Sequence, residues 1–401
     1  GYTGLSAALH LARDHDADVT VLEAEDPGWG ASGRNGGFAC IGGAMASDTA
    51  LERRHGTADT AQFHKAQVAA IDLVAEILDR YGLDVDRHSQ GETVMAHRPE
   101  AMAKLHEEAG LVRARYGVDA ELIERGALAE RGMSGPEFHG ALNVPLGFAL
   151  NPWKYAIGLA RAAVQEGARI HGHSPVTAIR QVDGGGYLLT TSGGTLRASN
   201  LLLATNGYSS EDLPDWMAGR YLPMQSSVIV TRELSADELQ AQGWTTGQMA
   251  YDTRRLLHYF RLMPNGRFLF GMRGGTRTTP AAITRMQRDI RRDFERMFPA
   301  WAHVETPHFW AGLLCLARDL TPYVGPLGDW PDAHAALAYH GNGVAMASYC
   351  GARLAEMAVG QAPSTPLPAL MRGPLRRFPL PAWRRAFLPV SLAWYALRDR
   401  G

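Results

Sequence analysis

The first residues have the types and spacing to hold a dinucleotide. Gly1 and Gly4 precede an apolar stretch, Leu5-Ser6-Ala7-Ala8-Leu9-His10-Leu11-Ala12, and Glu23 ends the next apolar run, Val19-Thr20-Val21-Leu22. Glycines at a strand-to-helix turn let backbone amides at the helix N-terminus approach a pyrophosphate. An acid about twenty residues further on accepts hydrogen bonds from a ribose 2′-hydroxyl. Gly1 and Gly4, with Thr3 between them, fit the second and third glycines of G-x-G-x-x-G, and Glu23 fits the ribose acid. The strand and first glycine that should precede Gly1 are not in the chain, so it is expected to be a piece of a longer protein.

Two further glycine-rich stretches widen the candidate site. Gly30-Ala31-Ser32-Gly33-Arg34-Asn35-Gly36-Gly37 follows the ribose acid, too glycine-rich for a helix and too long for a tight turn. It reads either as a flexible surface loop or as backbone wrapped around a planar cofactor, with Ser32 and Arg34 facing its phosphates or ring. His340-Gly341-Asn342-Gly343 leads into a helix from Val344. That junction is an ordinary turn or a second helix N-terminus free to face a ligand. A small-residue turn, Thr205-Asn206-Gly207, closes the apolar run Leu201-Leu202-Leu203.

The elements that must position these residues alternate strand and helix at the start, an α/β pattern. Helices are predicted over 58–81, 101–116, 120–131, 153–167 (with Pro152 at its start), 281–298 and 344–359. Strands are predicted over 92–96, 174–181, 187–191, 195–203, 225–232, 256–263, 267–272, 309–317 and 335–339. Asn265-Gly266 between two of them is a hairpin signal. From Pro363 the tail is proline-rich, then basic and aromatic, and is expected to form a helix packed on the protein or a partner rather than a membrane-surface segment.

Composition excludes several classes. The 401 residues, 46% hydrophobic, suffice for two domains with substantial cores. A formal net charge of −1 gives no electrostatic case for nucleic acid. Cys40, Cys315 and Cys350 are far apart, and His171-Gly172-His173 lacks nearby acids, so neither a disulfide framework nor a metal site is indicated. No apolar run approaches the roughly twenty residues of a membrane span, and a cytoplasmic location is expected.

Together the motifs resemble one family. Gly-Tyr-Thr-Gly-Leu-Ser-Ala-Ala (1–8), Glu23, Ala-Ser-Gly-Arg-Asn-Gly-Gly (31–37), Ala-Thr-Asn-Gly-Tyr (204–208), Phe-Leu-Phe-Gly (268–271) and Gly-Asn-Gly-Val (341–344) occur in the order seen in the D-amino-acid oxidase/glycine oxidase superfamily of FAD-dependent oxidoreductases. The 31–37 motif and the tail Trp-Tyr-Ala-Leu-Arg-Asp-Arg (394–400) resemble its γ-glutamylputrescine oxidoreductase-like branch. The resemblance implies a Rossmann-like FAD-binding domain (1–84, 147–215 and 313–362) interleaved with an α+β substrate domain (85–146 and 216–312) carrying a large mixed or antiparallel sheet, then the tail (363–401). It places the FAD pyrophosphate at Gly1 and Gly4, the ribose at Glu23 and adenine near Val176. The isoalloxazine falls between the 31–37 loop (Ser32, Gly33, Arg34, Asn35, Gly36, Gly37) and the helix start at Gly341, Asn342, Gly343 and Val344.

The implied chemistry is hydride transfer from an amine α-carbon to flavin N5, with imine hydrolysis to an aldehyde and reoxidation by O₂ to hydrogen peroxide. Aligned on Asp319 and Pro322-Tyr323-Val324-Gly325, the family's carboxylate-binding arginine falls on Leu314, so a primary or secondary amine is expected rather than an α-amino acid. The family's flavin-linking cysteine falls on Gly312, so FAD is expected to be non-covalent. Arg261 and Arg273, at the hairpin, either face the pocket, to bind a distal carboxylate or raise O₂ reactivity, or are solvated strand arginines. Only one of His258 and Tyr259 can face inward, and His340 either lies near the ring or is a plain turn residue. The alternatives are an oxidase of the D-amino-acid, glycine or sarcosine type, a dehydrogenase passing electrons to a quinone or carrier protein, and a non-catalytic binding module.

Overall fold

The structure, a computed structural model, describes residues 1–399. Its first helix, Tyr2–His15, has no β-branched residue after Thr3 and buries Leu5, Ala8, Leu9 and Ala12 on one face. It packs between the helices Pro152–Gln165 and Gly343–Ala358. The contact with the second is so close that a Cβ on Gly351 would land on the Thr3 carbonyl oxygen. Thr20–Leu22 pairs in parallel with Arg169–His171. Leu201–Leu203 pairs in parallel with Ala333–Leu337, which runs antiparallel to Tyr323–Pro326. Parallel strands beside covering helices make this the expected α/β layer.

Facing it is an eight-stranded mixed sheet. Its order is His308–Ala317, Tyr221–Glu233, Arg267–Arg273, His258–Leu262, Met249–Asp252, Glu92–Met95, Gly140–Val144, Glu121–Glu124. The Asn265-Gly266 hairpin forms, with Gly266 at φ 72° and Phe260 opposite Phe270. The outer face is sealed by the helix Pro280–Met297, which presses Ile290, Phe294 and Met297 onto Phe260, Phe268, Phe270, Phe298 and Trp301. Each such fully buried side chain contributes about 1.5–3 kcal/mol, so the sheet is a stiff roof for whatever lies beneath.

Several expected elements differ. Residues 120–131 form the edge strand Glu121–Glu124 and a short 3₁₀ turn, Arg125–Ala127, not a helix. The Glu-Leu-Ile-Glu run fits half-buried pairing against Gly140–Val144. The predicted strand 195–203 is two, Gly194–Ala198 and Leu201–Leu203, in different sheets. The 174–181 strand starts only at Ala178. The strand His308–Ala317 runs unbroken through the expected boundary at 312/313. Helix Asp48–His55, capped by the Ser47 hydroxyl, has no counterpart among the expected elements. The tail helix Arg384–Arg398 docks through buried Arg384, which donates to the Tyr221 carbonyl and pairs with Glu211, and through Leu388. No helix among the described residues is long and apolar enough to cross a membrane.

Candidate active site

Between the helix layer and the sheet lies a cavity of about 1220 Å³. The helix layer contributes Gly1, Thr3, Gly4, Glu23, Val176, Thr205, Asn206 and the Gly341–Val344 turn. The sheet contributes Ser226, Tyr251, Tyr259, Arg273, Leu313 and Leu314. Two helices open onto it without a side-chain cap. Gly1 offers none, and the Asn342 amide turns away to donate to the Ile41 carbonyl at 3.1 Å. The first-turn amides of a helix have no partner within it, and its dipole favours negative charge there. Two such ends on one elongated cavity fit a ligand carrying a pyrophosphate and an electron-accepting ring.

The glycine-rich stretch after Glu23 is more ordered than its composition suggests. Ala31–Arg34 is a single helical turn. Asn35 secures it, its amide donating to the carbonyls of Ala31 and Ser32 (3.0 and 2.9 Å) while its Oδ1 accepts from the Gly37 amide at 2.7 Å. The Ser32 hydroxyl accepts from the Tyr2 amide at 3.0 Å, tying this turn to the first helix. The Arg34 guanidinium lies over Trp29, 4.4 Å from its ring centre, and reaches the Ala311 carbonyl. Ser32, Arg34, Asn35 and Gly36 line the cavity; Gly33, Gly37 and Gly207 do not. Those three glycines serve close packing instead. A Cβ would land on the Gly28 carbonyl at Gly33 and on the Leu150 carbonyl at Gly37, and would stand 3.0 Å from the Leu313 carbonyl at Gly207.

The two hairpin arginines part company. Arg261 is buried and fully engaged: it donates to the carbonyls of Gly36 and Leu150, each at 2.8 Å, and contacts His88 Nε2 at 2.9 Å. Burial pushes it down to about 10. It does not line the cavity and braces the 31–37 turn from behind, so the expectation that it faces a substrate is corrected. Arg273 lines the cavity, and its guanidinium makes no hydrogen bond or ion pair among the described residues. It lies against Gly341, and burial lowers its pKa.

Of the alternating pair, Tyr259 faces the cavity and shares a 2.9 Å hydrogen bond with Ser226. His258 points the other way, bonding Asp252 Oδ2 at 2.7 Å and Asp293 Oδ2 at 3.3 Å. His340 borders the cavity, but both ring nitrogens are used: Nδ1 donates to the Gly43 carbonyl at 2.8 Å and Nε2 accepts from the Ala317 amide at 3.2 Å. Burial holds it neutral, at about 4. It braces the turn with both nitrogens committed, which corrects its place among the reactive candidates.

The His308–Ala317 strand brings Gly312, Leu313, Leu314 and Cys315 to the cavity and no cation. A group without a sequence signal joins the site from the Glu92–Met95 strand. Glu92, 2% exposed, accepts from the Tyr251 hydroxyl at 2.9 Å, and the Cys40 thiol lowers its pKa against the effect of burial. Both Tyr251 and Cys40 line the cavity. Glu92 carries no motif; only an acid opening the apolar run Glu92-Thr93-Val94-Met95 could have marked it.

Residues 1–357 match the family described as FAD dependent oxidoreductase, DAO. The chain is 31% identical to the probable oxidoreductase OrdL of Rhizobium meliloti, across 100% of this chain and 90% of that one. It is 30% identical to the γ-glutamylputrescine oxidoreductase of Escherichia coli, across 100% and 91%. Among solved structures, glycine oxidase from Geobacillus kaustophilus superposes with a TM-score of 0.76 at 19% identity, covering 94% of this chain and 97% of that one. The fold is therefore shared with that enzyme.

Proposed function

Because the chain belongs to the DAO family of FAD-dependent oxidoreductases, we propose that it oxidises the C–N bond of a primary or secondary amine, with a γ-glutamylated diamine as the leading substrate. At the coarser level it is an enzyme of FAD-dependent amine or amino-acid oxidation. The finer reading rests on one observation, apolar Leu314 on the same face of the sheet as Ser226, where the family resemblance implies an arginine. A carboxylate on the reacting carbon would meet no guanidinium on that strand, whereas an aliphatic amine chain gains from apolar contact.

In this reading Gly1, Thr3 and Gly4 hold the pyrophosphate, Glu23 the adenosine ribose and Val176 the adenine. Ser32, Arg34, Asn35 and Gly36 and the Gly341–Val344 turn flank the ring, with Thr205 and Asn206 closing the cavity wall. Bound FAD supplies the two-electron acceptor for the hydrogen on the amine α-carbon. The protein's own contribution is position and electrostatics: Leu314 and Tyr259 keep water from the reacting carbon, and Arg273 with the Gly343–Ala358 helix N-terminus favours negative charge at one end of the cavity. The experiment is turnover of γ-glutamylputrescine in air, with aldehyde and peroxide measured together. Equal amounts of the two support an amine oxidase. Aldehyde without peroxide would replace the oxidase with a dehydrogenase, and turnover of glycine alone would overturn the amine reading.

A further inference from the structure

An amine reaches a protein surface near neutral pH as an ammonium, since an aliphatic amine resembles lysine with a pKa of about 10.4. An ammonium has no nitrogen lone pair with which to expel a hydride. The proton must leave first, and the groups already described cannot take it. His340 has both nitrogens committed, and Arg273 is itself a cation.

Glu92 meets the need. It is buried beneath the cavity wall, its Oε1 held by the Tyr251 hydroxyl at 2.9 Å, while its Oε2 has no hydrogen-bond partner. Burial raises its pKa to about 7, with the Cys40 thiol and Tyr251 hydroxyl pulling the other way. Tyr116 also feels its charge, and Arg273 feels Tyr251 and Cys40. We propose that Glu92 accepts the substrate's ammonium proton through Tyr251, delivering the amine to the cavity in its neutral form. This rests on the amine reading above. In the step, a substrate N–H proton passes to the Tyr251 oxygen as the Tyr251 hydroxyl proton passes to Glu92 Oε1. The products are a neutral amine, an intact tyrosine and a neutral acid. Low dielectric drives it, because a buried ammonium and carboxylate both gain by becoming neutral, and the unpaired Arg273 acidifies a cation beside it. Glu92 acts through Tyr251 and is a positioning residue for the proton.

The test uses holoenzyme and three probes: γ-glutamylputrescine, its analogue fluorinated β to the amine (a weaker base), and its α,α-dimethyl analogue, which has no α-hydrogen. Glu92→Gln and Tyr251→Phe should slow anaerobic flavin reduction by γ-glutamylputrescine about a hundred-fold at neutral pH and abolish the rate limb near pH 7. The fluorinated analogue should recover most of that loss. On binding the α,α-dimethyl analogue above pH 7, infrared difference spectra of the wild type should show a protonated-carboxyl band, missing in Tyr251→Phe. This readout stands even where Glu92→Gln fails to fold. Binding with no such band, or equal loss with both amines, overturns the relay alone. Neither binding nor reduction by any of the probes overturns the amine reading and the relay with it.

Discussion

Arg273 and Gly341 meet at one point of the cavity, where a Cβ on Gly341 would stand 2.6 Å from Arg273 Nη2 and 3.0 Å from its Cζ. Gly341 also has φ 97°, a backbone that side chains rarely adopt. Gly341→Ala should therefore displace the guanidinium as well as strain the turn. Gly184, at φ 83° with open space around it, is the control. Gly184→Ala should lower Tm only modestly with flavin reduction unchanged, while Gly341→Ala lowers Tm and slows reduction. Identical kinetics in the two variants would mean that the contact does nothing for the reaction.

Arg273 is a half-buried cation that lines the cavity and makes no hydrogen bond or ion pair among the described residues. If it stabilises charge that develops during reaction, Arg273→Met should reduce the flavin-reduction rate about 10- to 100-fold, or roughly 1.4–2.8 kcal/mol, with KM little changed. A rise in KM confined to carboxylate-bearing amines would instead make it a substrate anchor.

Arg261 belongs to the scaffold. Arg261→Met would strand the buried carbonyls of Gly36 and Leu150, at about 1–3 kcal/mol each. Thermal unfolding should show a clear loss of Tm and weaker FAD retention, and the FAD that stays should be reduced at a near wild-type rate. Normal stability with lost turnover would contradict this placement.

His258 sets a pH dependence of stability. Burial opposes its charge, but Asp252 and Asp293 raise its pKa above the ordinary 6.5. Protonation in the folded state is favoured, so its contribution is fully present below pH 6.5 and fades as pH rises through the elevated value. The depressed Asp252 and Asp293 contribute above pH 3.8 and lose that contribution as pH falls through their lowered values. Tm of the wild type should fall on the alkaline side of 6.5, and His258→Gln should flatten that slope. An unchanged slope in the variant would refute it.

The motifs legible in the sequence were those whose chemistry is local. Glycines before a helix, an acid after a strand and Asn265-Gly266 at a hairpin announce themselves by spacing, and most of them line the cavity or make the expected turn. What stayed hidden depends on the third dimension. Arg261 and Arg273 sit on adjacent strands, and only the sheet's placement decides that one braces Gly36 while the other faces the cavity. Gly33, Gly37 and Gly207 looked like cofactor contacts because close backbone packing and close ligand approach both require glycine. Glu92 carries no sequence signal because the hydrogen bond behind its proposed role comes from Tyr251, far away in the chain. The order of the 31–37 turn is not legible in its glycine content because the Asn35 side chain supplies the hydrogen bonds that hold it.

On the proposed reading, Leu314 in place of an arginine selects an amine over an α-amino acid. The direct measurement is an anaerobic titration of the FAD-loaded protein, following the visible flavin absorbance as γ-glutamylputrescine, glycine and D-alanine are added in turn. Bleaching by γ-glutamylputrescine, with glycine and D-alanine inert, is the expected result. Bleaching by glycine or D-alanine at comparable concentration would contradict it, placing a carboxylate anchor in the cavity where Arg273 would be the first candidate.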